Sequence, residues 1–127
     1  MSGSLVIVGT GPGKAELMTP ATQAAIAEAL KGVPAAVRDK YKPPYQIYHG
    51  QGCAVCKGKG SIGRMAIFEV FQMTRELAEI VGSTDRSSSK ILAEAKRQGM
   101  VTMREDGIVK ALDGLVALEE VLRETSE

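Results

Sequence analysis

Two cysteines separated by two residues carry the clearest chemical signal in this 127-residue sequence. Cys53 and Cys56 are followed by glycines at positions 58 and 60. Two thiolates at this spacing, on a turn whose backbone N–H groups face sulfur, form half of a tetrahedral zinc site. Because the chain contains no other cysteine, several alternatives stay open: a metal-free structural remnant, a zinc site, a redox pair, or a site that bridges two copies.

His49 is the one histidine and the best additional zinc ligand, with a carboxylate or water as the fourth. Taken alone, it is more typical of a strand residue with a hydrogen-bonded ring. Three basic residues, Lys57, Lys59 and Arg64, follow the cysteine pair. They indicate a local basic tip that either binds phosphate or, as is commoner, forms a solvated surface.

Glu69 lies between Phe68 and Val70 in an apolar segment, an unusual place for a carboxylate. Residues five apart in a strand point to opposite faces, so Arg64 and Glu69 do not pair with each other. We therefore expect Glu69 to form a structural ion pair with another residue. No nucleophile, base and orienting group occur together at a recognised spacing.

A glycine-rich segment, residues 9–14, follows the first apolar run but departs from nucleotide-binding motifs. Val8 and Ala15 stand where a phosphate-binding loop requires glycine and a hydroxyl residue, and Lys14 replaces the third glycine of a dinucleotide fingerprint. The segment is therefore interpreted as a structural turn.

Composition narrows the class of protein further. Sixteen basic and 15 acidic residues leave a net charge of +1, which provides no broad attraction to nucleic acid. No apolar run approaches the roughly 20 residues that span a bilayer, and no signal peptide opens the chain. We expect a soluble, cytoplasmic protein that works without nucleic acid.

The pattern along the chain predicts an α+β fold: a small β-hairpin with the cysteine turn at its tip, followed by a C-terminal bundle of short helices. Thr19, Thr74 and Ser87 or Ser88 are predicted helix caps, and Thr102 with Glu105 matches a capping box. Leu92 is expected to face inward and Met73 to fill the core. The predicted strands cover residues 5–8, 45–49 and 64–71, and the predicted helices cover residues 21–31, 75–81, 88–98, 103–112 and 118–123.

We expect one domain over residues 1–127. Residues 1–4 are set aside as a candidate expression-tag scar, residues 5–72 form the strand, helix and hairpin part, and residues 73–127 form the helical part.

The segment 52–70 resembles the C-terminal region of type II secretion and type IV pilus assembly ATPases, the family of general secretion pathway protein E. The shared pattern runs from the cysteine pair through a glycine turn and Gly63-Arg64 to an aliphatic and aromatic pair followed by Glu69. Further blocks at residues 73–77, 95–107 and 119–123 continue in register, so the resemblance spans about two thirds of the chain.

This resemblance implies a non-catalytic C-terminal module of such an ATPase. In the family the Walker motifs and catalytic residues lie upstream, so the chain is not expected to be an enzyme by itself. Its implied partners are the RecA-like motor domain, other subunits of a hexamer, and secretion or pilus platform proteins that hold it at the inner membrane. The family's zinc site has four cysteines, and Thr10 and Gly13 stand where the first two belong, which leaves Cys53 and Cys56 as a degenerate zinc motif.

A competing resemblance covers fewer residues. Residues 6–13 and 16–19 are similar to the opening of tetrapyrrole methylases, which implies binding of S-adenosylmethionine by the glycine-proline-glycine loop. The alternative functions are therefore a methylase-like fragment of that kind and a free-standing zinc-knuckle interaction domain.

Overall fold

The computed structural model of the protein describes residues 3–6 and 14–126, and the side chains from residue 18 onward. The described part is a small mixed α/β fold. Its elements in chain order are β1 (Gly3–Val6), β2 (Lys14–Leu17), α1 (Pro20–Lys31), α2 (Ala35–Arg38), β3 (Gln46–His49), β4 (Met65–Phe68), α3 (Arg75–Gly82), α4 (Ser88–Arg97), α5 (Met103–Leu112) and α6 (Leu118–Glu124).

The strands form two separate antiparallel pairs. In one pair β1 lies beside β4, with Val6 opposite Met65, and in the other β2 lies beside β3, with Lys14 opposite His49. The predicted hairpin between the strands now seen as β3 and β4 is therefore wrong. The long segment between them lacks the two- to five-residue turn that sets the register of a hairpin, and each strand takes its partner from the N-terminal segment instead.

The N-terminal predictions are confirmed only in part. Leu5 and Val6 lie in a strand as expected, but that strand also includes Gly3 and Ser4. The stretch set aside as a tag scar therefore contributes to the fold. The predicted glycine turn at residues 9–13 lies outside the described residues. Strand β2 was not predicted, because its sequence contains no β-branched or aromatic residue.

Helix boundaries agree closely with the capping pattern in the sequence. The hydroxyls of Thr19, Thr74 and Ser87 each accept a hydrogen bond from the backbone N–H three residues later. The capping box at α5 is also present: Glu105 N–H donates to the Thr102 hydroxyl at 3.3 Å, and Thr102 N–H donates to the Glu105 carboxylate at 2.8 Å. These predictions are confirmed because a cap depends on contacts within one turn of the chain. Helix α2 lies in a segment that was predicted to be a loop.

The core lies where α1, β3, β4, α5 and α6 meet. Its centre is mainly aliphatic, as the composition requires. Leu92 and Met73 are exposed, so the expectation that they lie inside is wrong. Helix α4 packs chiefly on α3 and buries Glu94 and Ala95, whereas Leu92 on the same helix is 50% exposed. The core cluster contains Ile26, Leu30, Val33, Tyr45, Ile47, Ile67, Ile108, Ala111, Leu112, Val116, Leu118 and Val121.

Helices α5 and α6 approach each other most closely at Gly107. A Cβ atom added to Gly107 would lie 2.4 Å from Cγ1 of Val121, whose side chain is fully buried. Only a glycine permits this spacing, because real Cβ atoms do not approach carbon so closely.

Glu94 is a buried carboxylate that joins α3 to α4. It accepts hydrogen bonds from Nε of Arg97 at 2.6 Å, from the Gln98 amide at 3.1 Å and from the Thr74 hydroxyl at 3.3 Å. The Arg97 guanidinium is the largest cause that lowers the pKa of Glu94 to about 2. Every oxygen of this buried side chain therefore faces a donor, which is what makes its burial tolerable.

No helix among the described residues is long and apolar enough to cross a membrane.

We predict that Gly107→Ala lowers the free energy of unfolding by about 1–3 kcal/mol, because the added methyl group overlaps Val121 in a packed core. Gly82→Ala is the matched control, since a Cβ there meets nothing within 4 Å. It is expected to stabilise the protein by a few tenths of a kcal/mol through a better helix propensity. Urea unfolding of both variants checks this, and equal effects at the two glycines would contradict the packing argument.

We predict that stability falls in acid as Glu94 becomes protonated. Its pKa is lower in the folded state, about 2 against 4.5, so the carboxylate contributes stability above pH 4.5 that is lost as the pH falls towards 2. Glu94→Gln should remove this part of the acid sensitivity, which urea unfolding at pH 2.5 to 7 measures. Glu79→Gln, at an exposed residue of α3, is the control that keeps the steep acid profile.

Candidate functional site

The cysteine loop, defined as residues 50–64, leaves β3 and returns to β4. Its turn is closed by backbone hydrogen bonds from Gly58 N–H to the Cys53 carbonyl at 3.0 Å and from Lys59 N–H to the Cys56 carbonyl at 3.1 Å. Gly58 and Gly60 have φ values of 81° and 75°. Glycine adopts this left-handed conformation without strain, which allows the chain to wrap around the second cysteine.

The two arms of the cysteine loop are in direct backbone contact. A Cβ on Gly50 would lie 1.7 Å from the Gly60 carbonyl oxygen, and one on Gly52 would lie 2.4 Å from the Gly58 carbonyl oxygen. The four glycines therefore form two facing pairs that permit the loop to close. Gly58 and Gly60 were recognised in the sequence, whereas their facing partners Gly50 and Gly52 were not, although the placement of all four around the cysteine pair is visible there.

Closure of the loop builds a pocket of N–H donors around one sulfur. Sγ of Cys56 accepts from Cys53 N–H at 3.1 Å and from Gly60 N–H at 3.2 Å. Several hydrogen bonds together lower the pKa of the Cys56 thiol from 9 to about 7. The largest contribution comes from the backbone N–H of Cys53. The Cys56 side chain is buried whereas Cys53 is exposed, and their sulfur atoms are 3.5 Å apart.

The basic side chains predicted for the tip are placed there. Lys57, Lys59 and Arg64 are all exposed on the cysteine loop. Lys57 has a φ of 52°, so the loop holds a non-glycine residue in the left-handed region beside the cysteine pair. The tip is thus a solvated surface with a thiol pair and positive charge close together.

The structure does not bring His49 into a metal site with the two cysteines. Nε2 of His49 lies 3.7 Å from Oε1 of Glu119, a residue of α6. No group of three or more His, Cys, Asp or Glu side chains arranged to hold a metal occurs in residues 18–126. Thr10 and Gly13 lie outside the described residues. The described side chains, those of residues 18–126, therefore do not by themselves fit a closed four-ligand zinc site.

Glu69 lies at the start of α5. Its Oε1 accepts a hydrogen bond at 3.2 Å from Met103 N–H, the first N–H of that helix. Free N–H groups at a helix N-terminus attract negative charge, so the carboxylate serves as an anchor for the segment that follows β4. Sequence reasoning expected a structural ion pair for Glu69, but the partner that the structure shows for this carboxylate is the backbone N–H of Met103 at a helix N-terminus.

Below Glu69, Asp106 and Lys110 attach β4 to α5. Asp106 Oδ2 accepts from Phe68 N–H at 3.0 Å and from Nζ of Lys110 at 2.5 Å, and Lys110 also donates to the Ala66 carbonyl at 2.9 Å. Nζ of Lys110 lies 5.6 Å from the centre of the Phe68 ring. Sequence reasoning missed this pair, whose spacing of four residues on a helix is its only local sign.

Beside this attachment lies an exposed run of large apolar side chains, which we call the apolar edge. It borders an open groove of about 330 Å³ whose lining includes Val33, Val37 and Val109. The apolar edge consists of Phe68 (55% exposed), Val70 (60%), Phe71 (44%) and Met73 (70%).

Comparison with known proteins places these features in a family. A family model described as type II/IV secretion system protein matches residues 6–123. That range includes the whole of the stretch that resembles the opening of tetrapyrrole methylases.

The similar proteins are assembly and secretion ATPases. The chain is 43% identical over 82 residues to the type IV pilus assembly ATPase PilB of Thermus thermophilus, which is 65% of this chain and 9% of that protein. It is 35% identical over 89 residues to PilB of Acinetobacter baylyi, 70% of this chain and 15% of that protein. It is 33% identical over 88 residues to the type II secretion system ATPase E of Vibrio cholerae, 69% of this chain and 17% of that protein. The chain thus spans less than a fifth of the length of these curated relatives.

We predict that Cys56 is about half ionised at neutral pH. In a Cys53→Ala variant, in which Cys56 is the sole thiol, the ultraviolet absorbance of the thiolate should titrate with a midpoint between 7 and the ordinary 9, because the backbone N–H donors remain while the contact with the Cys53 thiol is lost. Adding Gly50→Ala should force the arms apart and move the midpoint towards 9. Ser61→Ala is the control in the same loop. A midpoint unaffected by Gly50→Ala would show that closure of the loop does not govern this thiol.

Proposed function

The chain belongs to the type II/IV secretion system protein family, and on that premise we propose that it is the non-catalytic C-terminal module of a secretion or type IV pilus assembly ATPase. The family predicted from the cysteine pair and Glu69 is thereby confirmed. In this proposal the module packs on the RecA-like motor, supports assembly of the hexamer and couples the motor to platform proteins at the cytoplasmic side of the inner membrane.

The apolar edge is the observation that carries the proposal. Its four large apolar side chains are consecutive or nearly so along the chain, and they lie beside a groove that is itself mainly apolar. Contiguous apolar surface of this kind marks a protein interface, because leaving it in water costs free energy. The partner that covers it in our proposal is the remainder of the ATPase.

The internal polar groups support a scaffold role. Glu94, Glu69 and Asp106 each contact a helix terminus, a strand or an arginine that belongs to the fold. Residues 5–72 and 73–127 act as one domain in this proposal, because α5 from the second part packs on α1, β3 and β4 from the first.

The net charge of +1 favours protein partners over nucleic acid. The cytoplasmic location proposed for the module places its basic tip, Lys57, Lys59 and Arg64, within reach of platform proteins. Zinc is a proposed ligand of Cys53 and Cys56 rather than a requirement of this role.

A chimera tests the proposal. The 82-residue segment of the Thermus thermophilus PilB that matches this chain is replaced by the corresponding segment of this chain. We expect the chimera to form hexamers by light scattering and to hydrolyse ATP, whereas the 127-residue chain alone should show no turnover. Turnover by the isolated chain that survives repurification would contradict the non-catalytic role.

Substitutions in the chimera test the apolar edge. Val70→Asp should reduce the hexamer fraction at least tenfold, because a carboxylate would be buried against the motor. Leu115→Asp is the matched control, since Leu115 is 41% exposed but lies away from the groove. Equal loss of assembly in both variants, or none in either, would show that this edge is not the interface.

A further inference from the structure

We propose that a cleft beside β3 binds an acidic segment of a partner protein, with the ammonium groups of two lysines as the ligands of its carboxylates. The cleft has a volume of about 190 Å³. We call it the lysine cleft, and its lining includes Lys40, Tyr41, Lys42, Tyr45, Gln46 and Tyr48. The inference concerns the chemistry of this cleft and is independent of the role in the ATPase.

The stretch of chain that begins at the lysine cleft carries only positive charge. Residues 40–64 contain five basic and no acidic residues, in a chain that has 15 acidic residues. The rest of the chain therefore has 11 basic against 15 acidic residues, a net charge of −4. Positive charge is thus concentrated on one stretch of a nearly neutral protein, and such a surface attracts a negatively charged partner to one place.

The two lysines of the cleft have no anion of their own. Both are exposed, and within residues 18–126 their ammonium groups form no ion pair or hydrogen bond. The acidic residues that contact this segment are engaged elsewhere: Asp39 lies 3.5 Å from Nε of Arg38. Asp113 accepts a hydrogen bond from the Tyr41 hydroxyl at 2.7 Å. The charge of both lysines is therefore available to a ligand.

Contacts from distant parts of the chain hold the walls of the lysine cleft. The side-chain amide of Gln23 bonds both the backbone N–H and the carbonyl of Tyr45, at 2.8 and 2.7 Å. The Tyr48 ring packs against Gly114, where an added Cβ would lie 3.1 Å from Cδ2 of that ring. Together with the tyrosine–aspartate bond, these contacts fix the three tyrosines before any ligand binds. A preformed cleft loses less conformational freedom on binding, which favours a specific ligand.

The shape of the lysine cleft favours a peptide over nucleic acid or a lipid surface. Tyr45 is buried and Gly114 covers part of the Tyr48 ring, so the cleft offers little aromatic surface on which bases could stack. The acidic remainder of the chain repels a long polyanion. A lipid surface is flat on this scale and does not enter a concave site. An aspartate or glutamate side chain does, and its carboxylate forms charge-assisted hydrogen bonds with ammonium groups.

Binding of short peptides to the full 127-residue chain tests the proposal. The probe is a fluorescein-labelled peptide that alternates aspartate and serine, and the control peptide has asparagine in place of each aspartate. We expect fluorescence anisotropy to show that the acidic peptide binds at least tenfold more tightly than the control. Its affinity should fall as the salt concentration rises, because exposed charges are screened.

Charge variants locate the site. Lys40→Glu combined with Lys42→Glu should weaken binding of the acidic peptide at least tenfold. Arg86→Glu combined with Arg104→Glu makes the same change in net charge at exposed residues outside the lysine cleft. This control pair should weaken binding less than threefold, since its residues do not contact the ligand.

A neutral variant tests the shape of the site. Gln46 lies at an exposed position of β3 and lines the lysine cleft. Gln46→Trp keeps every charge but fills the cavity, so it should weaken binding of the acidic peptide at least fivefold. Circular dichroism and urea unfolding check that each variant remains folded.

Four outcomes would overturn the proposal. They are equal weakening by the two charge pairs, no effect of Gln46→Trp in a folded variant, equal affinity for the aspartate and asparagine peptides, and tighter binding of a single-stranded oligonucleotide or of phosphatidylglycerol vesicles than of the acidic peptide.

Discussion

The lack of a side chain at Gly107 is the constraint on which the rest of the described fold depends. It lets α6 approach α5 so closely that Val121 becomes fully buried. Helix α5 then has its remaining faces free to carry α1, β3 and β4. Because α5 also holds β4 through Asp106 and Lys110, the position of Phe68 at the end of that strand follows from the packing of two helices.

The cysteine loop is attached to this framework through β3 and β4, the strands at its two ends. Its two ends belong to different sheets, since β3 pairs with β2 and β4 pairs with β1. No ladder between β3 and β4 closes the loop, so closure depends on the facing glycines, above all Gly50 against Gly60. The N–H groups that surround Cys56 are a product of that closure, and they explain why this thiol gives up its proton more easily than an ordinary cysteine.

The one buried charge among the described side chains is paired, whereas several large apolar side chains lie on the surface. Buried charge is scarce and well paired: Glu94 alone brings together Thr74, Arg97 and Gln98. Several large apolar side chains are exposed, among them Val55 in the cysteine loop and four side chains along residues 68–73. Burial of such apolar side chains against another protein would lower the free energy without the cost of removing charges from water.

The sequence by itself determined the helices other than α2, the side-chain caps of α1, α3, α4 and α5, and the family. The hydroxyl of Thr19 and the box of Thr102 and Glu105 act within one turn, so local order along the chain is sufficient to reveal them. Only the tertiary structure decided which strands pair, that Leu92 is exposed, and that Glu69 meets the start of α5. These features depend on contacts between residues that are far apart in the sequence. A pattern of apolar and polar residues does not specify which distant residues come into contact. The chemistry of the cysteine pair depends on both the sequence and the tertiary structure. The sequence sets the spacing of the two cysteines, but the N–H donors face sulfur only when the loop has closed.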